Sequence, residues 1–192
     1  EWGLATDNAE HLENADTALR SAVDIFEKTE GAQGSNTALA RLQLARLMGA
    51  RGQVDEAVAE FTRAANIHIN NEGAQSSQVG DVLWYAGNMF VDAERYDDAI
   101  EVYQQAVEIY KAAYGNEHSE VGETLGRLAD AYRAKMESKK AIETFRQAIA
   151  IQSKHYDADD DVILNLRWEM GRAYIDADDA EATLAIFHEL LA

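Results

Sequence analysis

The sequence predicts an all-α solenoid, in which antiparallel helix pairs stack in a row. A pattern of small and large apolar residues returns at a period of about 42 residues, and the apolar positions within each period follow helical spacing. Units that repeat in this way bury their apolar faces against their neighbours. None of the 192 residues is proline, which suits a nearly continuous run of helices because proline disrupts hydrogen bonding inside a helix.

The pattern is clearest in the second helix of each pair. An alanine is followed by an aromatic residue after four positions, by another alanine after three more, and by isoleucine after a further three. These columns contain Ala57, Phe61, Ala64 and Ile67, then Ala99, Tyr103, Ala106 and Ile109, then Ala141, Phe145, Ala148 and Ile151. They continue in Ala15, Leu19, Ala22 and Ile25 and, more weakly, in Thr183, Phe187 and Leu190. The spacing predicts that the aromatic column is buried core.

The first helix of each pair carries three further columns. They hold a large apolar residue, then a small residue, then a large apolar or aromatic residue three positions further on. Their members are Leu44, Ala86, Leu128 and Met170, then Ala45, Gly87, Ala129 and Gly171, then Met48, Phe90, Tyr132 and Tyr174. Small residues let helices approach closely, and the aromatic side chains are expected to fill the holes between them.

The columns divide the chain into one array of repeats. We expect a partial repeat at 1–30, full repeats at 33–72, 75–114 and 117–156, and a final truncated repeat at 159–192. Gly115 suits a helix stop between pairs, and Ser119 suits the start of the next helix. Because Trp2 and Gly3 fall in first-helix columns, we expect the chain to begin partway through a first helix and to be part of a larger protein.

The composition excludes several classes of partner. The chain has 17 Lys and Arg against 35 Asp and Glu, a formal charge of −18. Such a surface repels nucleic acid and anionic lipid and favours cationic partners. No apolar run approaches the length that spans a bilayer, so no membrane partner is predicted. The absence of cysteine excludes disulfides and thiolate metal sites and leaves the compartment open.

The order of the columns resembles the tetratricopeptide repeat family. The first helix has large, small and aromatic positions, and the second has alanine, aromatic and alanine. The long period, with the link Tyr114-Gly-Asn-Glu-His-Ser-Glu-Val121, resembles the kinesin-light-chain type of this repeat. The resemblance implies a right-handed superhelix whose concave groove is lined by the first helices and binds peptides or partner proteins. It implies no reaction and no cofactor.

The resemblance also places particular residues on the groove. Carried over column by column, the lining is Leu42, Arg46, Trp84, Asn88, Val91, Asp130, Arg133, Trp168, Arg172 and Ile175. The tryptophans are candidate partner anchors, because tryptophan is enriched at interface hot spots, and the alternative is that each packs on a neighbouring repeat. Arginines and acids are mixed along the lining, which does not favour a uniformly basic clamp for carboxyl-terminal peptides.

No motif for metal or catalytic chemistry stands out. The run Asp157-Ala-Asp-Asp-Asp161 begins like a calcium loop, but Val162 and Trp168 stand where that loop needs glycine and a bidentate glutamate. The run is therefore interpreted as a link between repeats whose acids complement the next helix dipole. The five histidines show no metal-ligand spacing, and no nucleophile and base are paired. We predict no metal, no cofactor and no enzymatic activity.

Three functions remain open from the sequence. The chain is predicted to be a protein-binding or peptide-binding scaffold whose partner is cationic and carries apolar or aromatic groups. One alternative is a regulatory or sensory domain that binds a short signalling peptide or small ligand. Another is self-association through uncapped repeat ends, because Phe187, Leu190 and Leu191 lie where a further repeat would pack.

Overall fold

The computed structural model describes the backbone of residues 2–191 and the side chains of residues 11–188 and of Leu190. This part of the chain forms nine α-helices and no strand, which confirms the predicted all-α fold class. The helices are α1 Trp2–Glu30, α2 Ser35–Ala50, α3 Val54–Glu72, α4 Ser77–Asp92, α5 Tyr96–Tyr114, α6 Ser119–Ala134, α7 Ser138–Gln152, α8 Asp161–Asp176 and α9 Ala180–Leu191. None of them, as far as they are described, has the length and apolarity that a membrane crossing requires.

The helices form two compact units, and the boundary falls inside α4, between Met89 and Phe90. In the first unit, which ends at Met89, α2 packs against both α1 and α3. In the second unit, which begins at Phe90, α6 packs against α5, α7 and α8, and α8 also packs against α7 and α9. Each unit therefore has the consecutive helix-on-helix packing of a repeat array.

The repeated columns form the core of both units. Phe61, Tyr103 and Phe145 are buried, and the alanines on either side of them are fully inaccessible to solvent. In the first helices, the columns that begin at Leu44 and Ala45 are buried as predicted, apart from the half-buried Met170. The aromatic column is less well buried in the last repeat, where Phe187 is only partly buried.

The first helix departs from the repeat pattern. We expected the chain to begin in the first helix of a pair, whereas α1 runs without a break from Trp2 to Glu30. Ile25, which shares a column with the buried Ile67, is 57% exposed. The packing partner of α1 among the described helices is α2, so only one side of α1 is covered and the Ile25 side stays in solvent. The side chains of Trp2, Gly3 and Leu191, which the sequence placed in columns or at an uncapped end, lie outside the described residues.

The turns inside the pairs share a left-handed backbone position that recurs at the same place in each repeat. Gly52 has a φ of 74°, and the equivalent residues Glu94, Met136 and Asp178 have φ values of 57°, 66° and 56°. This conformation ends the first helix and reverses the chain, and it costs free energy when the residue carries a Cβ atom. Three of the four turns therefore hold a side chain where glycine would fit without strain.

The links between pairs depend on a second column, which contains glycine three times. Gly73 and Gly115 combine a φ above 90° with a ψ of 160°, a conformation essentially restricted to glycine. The next member of this column is Asp157, which cannot readily adopt it. Accordingly, α7 ends at Gln152, whereas α3 and α5 continue to the residue before their glycine. The fourth link is longer as a result.

Candidate partner-binding surface

Leu42, Trp84 and Trp168 occupy the same position in successive first helices, together with Gly126, and the three large residues differ in exposure. Leu42 is only 7% exposed and offers little surface to a partner. Trp84 is partly buried, whereas Trp168 is 52% exposed. Between them in the column lies Gly126, where an added Cβ atom would lie 2.9 Å from Cδ2 of Leu166. This position thus serves close packing of α6 on α8, and the contact surface of the column is concentrated at its tryptophans.

In the first unit, predicted lining residues form a cluster of aromatic and cationic groups. The guanidinium carbon of Arg46 on α2 lies 4.2 Å from the ring centroid of Tyr85 on α4. The ring of Trp84 meets Tyr85 edge-on, with centroids 5.0 Å apart. Arg46 also donates a hydrogen bond to Oε1 of Gln43 over 2.9 Å. Asn88, one turn after Trp84, is partly buried.

Tyr85 was missed by the sequence reasoning, which did not consider its column. The available signal was its position next to Trp84, because a residue adjacent to a predicted lining residue lies beside the lining on the same helix. The Arg46 guanidinium makes a cation–π contact with the ring of Tyr85. The arginine side chain as a whole remains exposed to solvent. The first unit therefore presents an edge-on pair of aromatic rings, with the Arg46 guanidinium stacked on one of them.

In the second unit, α8 presents an exposed stripe. Trp168, Arg172 and Ile175 follow one another at spacings of four and three residues, and all three are exposed. This spacing places them on one side of the helix. Val91, another predicted lining residue, is partly buried at the end of α4. The α8 stripe is the most extended set of exposed apolar and cationic groups among the predicted lining residues.

Beside the stripe lies a network of ion pairs between α6 and α8. Arg133 Nη2 lies 3.1 Å from Oε2 of Glu169, and its Nη1 lies 3.7 Å from Oδ2 of Asp176. Arg172 Nη1 donates to both carboxylate oxygens of Glu169 over 3.1 Å. Glu169 was not among the predicted lining residues, yet it holds both arginines. The predicted mixture of charges is thus present, with the arginines largely neutralised by acids.

Asp130 is the one predicted lining residue with a strongly altered acidity. Burial, followed by the nearby charge of Glu169, raises the pKa of Asp130 to about 6, against the opposing effect of Arg133, Arg127 and Arg172. Within the described part of the chain, no side chain lies within ion-pair distance of its carboxylate. The second unit therefore has a carboxyl group on α6 that gains free energy from a proton or from a cationic partner.

The second unit also has an open apolar pocket between α8 and α9. Its volume is about 440 Å³, and it is lined by Leu164, Asn165, Trp168, Phe187 and Leu190. The rings of Trp168 and Phe187 meet edge-on, with centroids 5.2 Å apart. Gly171 makes this approach possible, because an added Cβ atom there would lie 2.8 Å from Cζ of Phe187.

One residue of the acidic run and one histidine cap helix N-termini. Asp160 is the N-cap of α8, where its Oδ1 accepts a hydrogen bond from the amide of Val162 over 2.9 Å. This agrees with the interpretation of the run as a link before a helix. The helix start predicted at Ser119 is confirmed, but its cap is His118, whose Nδ1 accepts from the amide of Glu120. Among the described residues, no three His, Asp or Glu side chains are grouped as metal ligands.

Two family models match the sequence. The model of the tetratricopeptide repeat matches residues 78–154. The model of the soluble NSF attachment protein, SNAP, matches residues 4–111. No curated protein sequence matches the chain. Together the two models cover residues 4–154.

Solved structures share the fold. TPR-like repeats assigned to a kinesin light chain of Podosopora anserina match with a TM-score of 0.80 and 22% identity, over 95% of this chain and 87% of that chain. BtubC (BKLC) from P. vanneervenii matches with a TM-score of 0.82 and 19% identity, over 96% and 73%. The apo form of RapI matches with a TM-score of 0.79 and 17% identity, over 97% of this chain and 50% of that chain.

These matches confirm the predicted repeat type. The similarity to kinesin-light-chain repeats was expected from the long repeat period, and at these identities it establishes the fold. Proteins built from this repeat are typically scaffolds for protein interaction and are generally not enzymes.

Proposed function

Because the chain belongs to the tetratricopeptide-repeat family, we propose that it is a scaffold that binds a peptide or protein segment on its first helices. The observation that carries this proposal is the α8 stripe of Trp168, Arg172 and Ile175. Trp168 and Ile175 are large apolar side chains exposed on the same face of α8, and contiguous exposed apolar surface marks sites of protein interaction. Tryptophan in addition loses little conformational entropy when a partner covers it.

The charges support a cationic partner. At −18, the field of the chain raises the local concentration of cations and makes association sensitive to salt. The exposed arginines do not reverse this preference, since Arg172 is engaged by Glu169 and Arg46 stacks on Tyr85. Asp130 adds a specific acceptor, because a lysine or arginine of the partner would compensate its poorly paired carboxylate.

The proposed partner therefore combines an aromatic or apolar anchor with positive charge. Trp168 is the proposed contact point in the second unit, and Trp84 is a separate candidate contact point in the first unit. Leu42 is left out of the contact set because it is buried. No reaction and no cofactor enter the proposal.

Selection from a random peptide library on the immobilised chain tests this function. We expect the selected peptides to be rich in lysine or arginine and to contain an aromatic or large apolar residue. Trp168→Ala should weaken the binding of a selected peptide by about 2 kcal/mol, roughly 30-fold, as at an interface hot spot. Leu184→Ala is the matched control, because Leu184 is equally apolar and 63% exposed but lies outside the lining.

The outcomes against the proposal are equally specific. Selection of peptides rich in Asp and Glu would contradict the predicted charge of the partner. Unchanged binding by Trp168→Ala and by Trp84→Ala, with both variants folded, would remove the first helices as the binding surface. Absence of any saturable peptide ligand would contradict the scaffold function itself.

A further inference from the structure

The pocket between α8 and α9 is large enough to accept one large side chain of a partner. Its volume of about 440 Å³ lies within the range of about 300–1,000 Å³ found for ligand sites. Leu164 and Leu190 form aliphatic walls, and the edge-on pair of Trp168 and Phe187 forms an aromatic wall. These four side chains are all at least partly exposed to solvent, so burying them would be favourable.

One polar side chain lines this otherwise apolar pocket. Asn165 lies one turn before Trp168 on α8 and is exposed. Its amide has both donors and an acceptor, which is what an extended peptide backbone needs for pairing. A pocket with apolar walls and one amide suits an anchoring side chain whose own backbone passes over Asn165.

The chain segment that contains the pocket residues is strongly acidic. Residues 157–188 contain nine Asp or Glu and two Arg. Both arginines are engaged, because Arg172 donates to Glu169, and Arg167 donates to the carbonyl oxygen of Ala158 over 3.4 Å. A partner that seats a side chain in the pocket therefore binds to an acidic part of the chain. Positive charge on that segment is favoured.

The same charges argue against a second copy of the chain as the occupant. Each copy carries a formal charge of −18, and a symmetric contact through this pocket would bring the acidic surroundings of both copies together. Like charges brought together in this way disfavour association. The pocket is apolar enough to attract a copy, but its surroundings select a partner of opposite charge.

We propose that the α8–α9 pocket is the docking site for a single aromatic or large aliphatic side chain of a partner segment that carries lysine or arginine on both sides of that residue. This inference rests on the proposed scaffold function and adds where the anchor enters. Trp168 belongs both to the α8 stripe and to the pocket wall, so a partner segment leaving the pocket continues along the stripe toward Arg172 and Ile175.

A synthetic 12-residue peptide with a central phenylalanine between lysines is the probe. Two matched peptides replace the phenylalanine by serine or the lysines by glutamate. Binding is followed by the intrinsic tryptophan fluorescence of the unaltered chain, to which Trp168 contributes from the pocket wall. We expect a saturable spectral shift with the first peptide, at least tenfold weaker binding of the serine peptide, and no saturable shift with the glutamate peptide.

Variants separate this inference from the proposed function. Asn165→Lys and Leu190→Ser should each weaken the binding of the lysine peptide at least tenfold, and Leu184→Ser should leave it within twofold. Circular dichroism verifies that the helices persist, and because Asn165 is exposed, its variant remains informative if Leu190→Ser unfolds α9. If Ile175→Ser weakens binding while both pocket variants bind normally, the docking site is wrong and the scaffold function stands. If all of these variants bind normally, both proposals fail.

Sedimentation equilibrium tests the second copy as occupant. We expect the chain to remain monomeric across the concentrations used for the peptide titrations. A dimer that Asn165→Lys dissociates would overturn the proposal, because it would show that another copy fills the pocket. Equal binding of the glutamate and lysine peptides would also overturn it, since the surroundings would then exert no selection by charge.

Discussion

The side-chain amide of Gln104 on α5 donates a hydrogen bond to the hydroxyl of Tyr132 on α6 over 2.8 Å. The same arrangement recurs one repeat later, where Nη2 of Arg146 on α7 donates to the hydroxyl of Tyr174 on α8 over 2.7 Å. Each bond joins the second helix of one pair to the first helix of the next. The tyrosines of this column therefore combine a buried ring with a polar tie between successive repeats.

Replacement of Tyr132 by phenylalanine tests this tie. The ring stays in place while the acceptor for Gln104 is lost, so we expect the free energy of unfolding to fall by about 0.5–1.5 kcal/mol. Urea unfolding followed by circular dichroism measures the change. Tyr156→Phe is the control, because Tyr156 lies exposed in the link after α7. Equal midpoints for wild type and Tyr132→Phe would show that the bond adds nothing net.

Replacement of Phe145 by alanine tests whether the aromatic column stabilises the fold. Its side chain is inaccessible to solvent, so Phe145→Ala leaves a cavity and should lower the free energy of unfolding by about 3–5 kcal/mol. Leu184→Ala removes a comparable apolar group from the surface and should change it by less than about 0.5 kcal/mol. A loss below about 1 kcal/mol for Phe145→Ala would mean that neighbouring repeats close the gap and the column is not the main source of stability.

The raised pKa of Asp130 leads us to expect that the stability of the chain depends on pH. Its pKa in the folded chain is about 6, above the ordinary value of 3.8, so the folded state binds this proton more tightly than the unfolded state. The resulting stabilisation is complete below pH 4 and is lost as the pH rises through 6, by at most about 3 kcal/mol. Asp130→Asn should abolish this part of the profile and gain stability relative to wild type between pH 4.5 and 7.5.

The control for this experiment is Asp159→Asn, which changes an exposed acid in the link before α8. It should leave the difference in unfolding free energy between pH 4.5 and 7.5 as in the wild type. If Asp130→Asn and wild type show parallel profiles over this range, the carboxyl group of Asp130 is solvated or paired in solution.

The left-handed turn positions predict substitutions of opposite sign. Gly52→Ala should destabilise the chain by about 1–2 kcal/mol, because a Cβ atom is strained at a φ of 74°. Met136→Gly should stabilise it by about 0.5 kcal/mol, since relief of the same strain exceeds the entropy cost of glycine. Met136 is 75% exposed, so little packing is lost.

Met136→Ala is the matched control for that gain. It shortens the side chain but keeps the Cβ atom, and it should leave the thermal midpoint nearly unchanged. If alanine and glycine stabilise the chain equally, the gain comes from removing an exposed apolar side chain and not from backbone strain.

The sequence by itself determined the fold class, the repeat period and most of the core. The reason is that burial in a repeat array is periodic: each alanine or aromatic column meets the same neighbour in every unit. It also contained the cause of the early end of α7, because Asp157 interrupts a column that is glycine at three earlier positions. Its consequence, the early end of α7 at Gln152, appears only in the folded chain.

The tertiary structure decided what each surface position offers. Leu42 and Trp168 share a column, yet one is buried and the other 52% exposed, because exposure at a lining position depends on the side chains around it, which differ from repeat to repeat. The pKa of Asp130 depends first on its burial and then on the charge of Glu169 from α8. The pocket beside Trp168 likewise depends on Phe187 and Leu190 from α9. Such properties arise from proximity in space between residues whose spacing along the chain carries no signal.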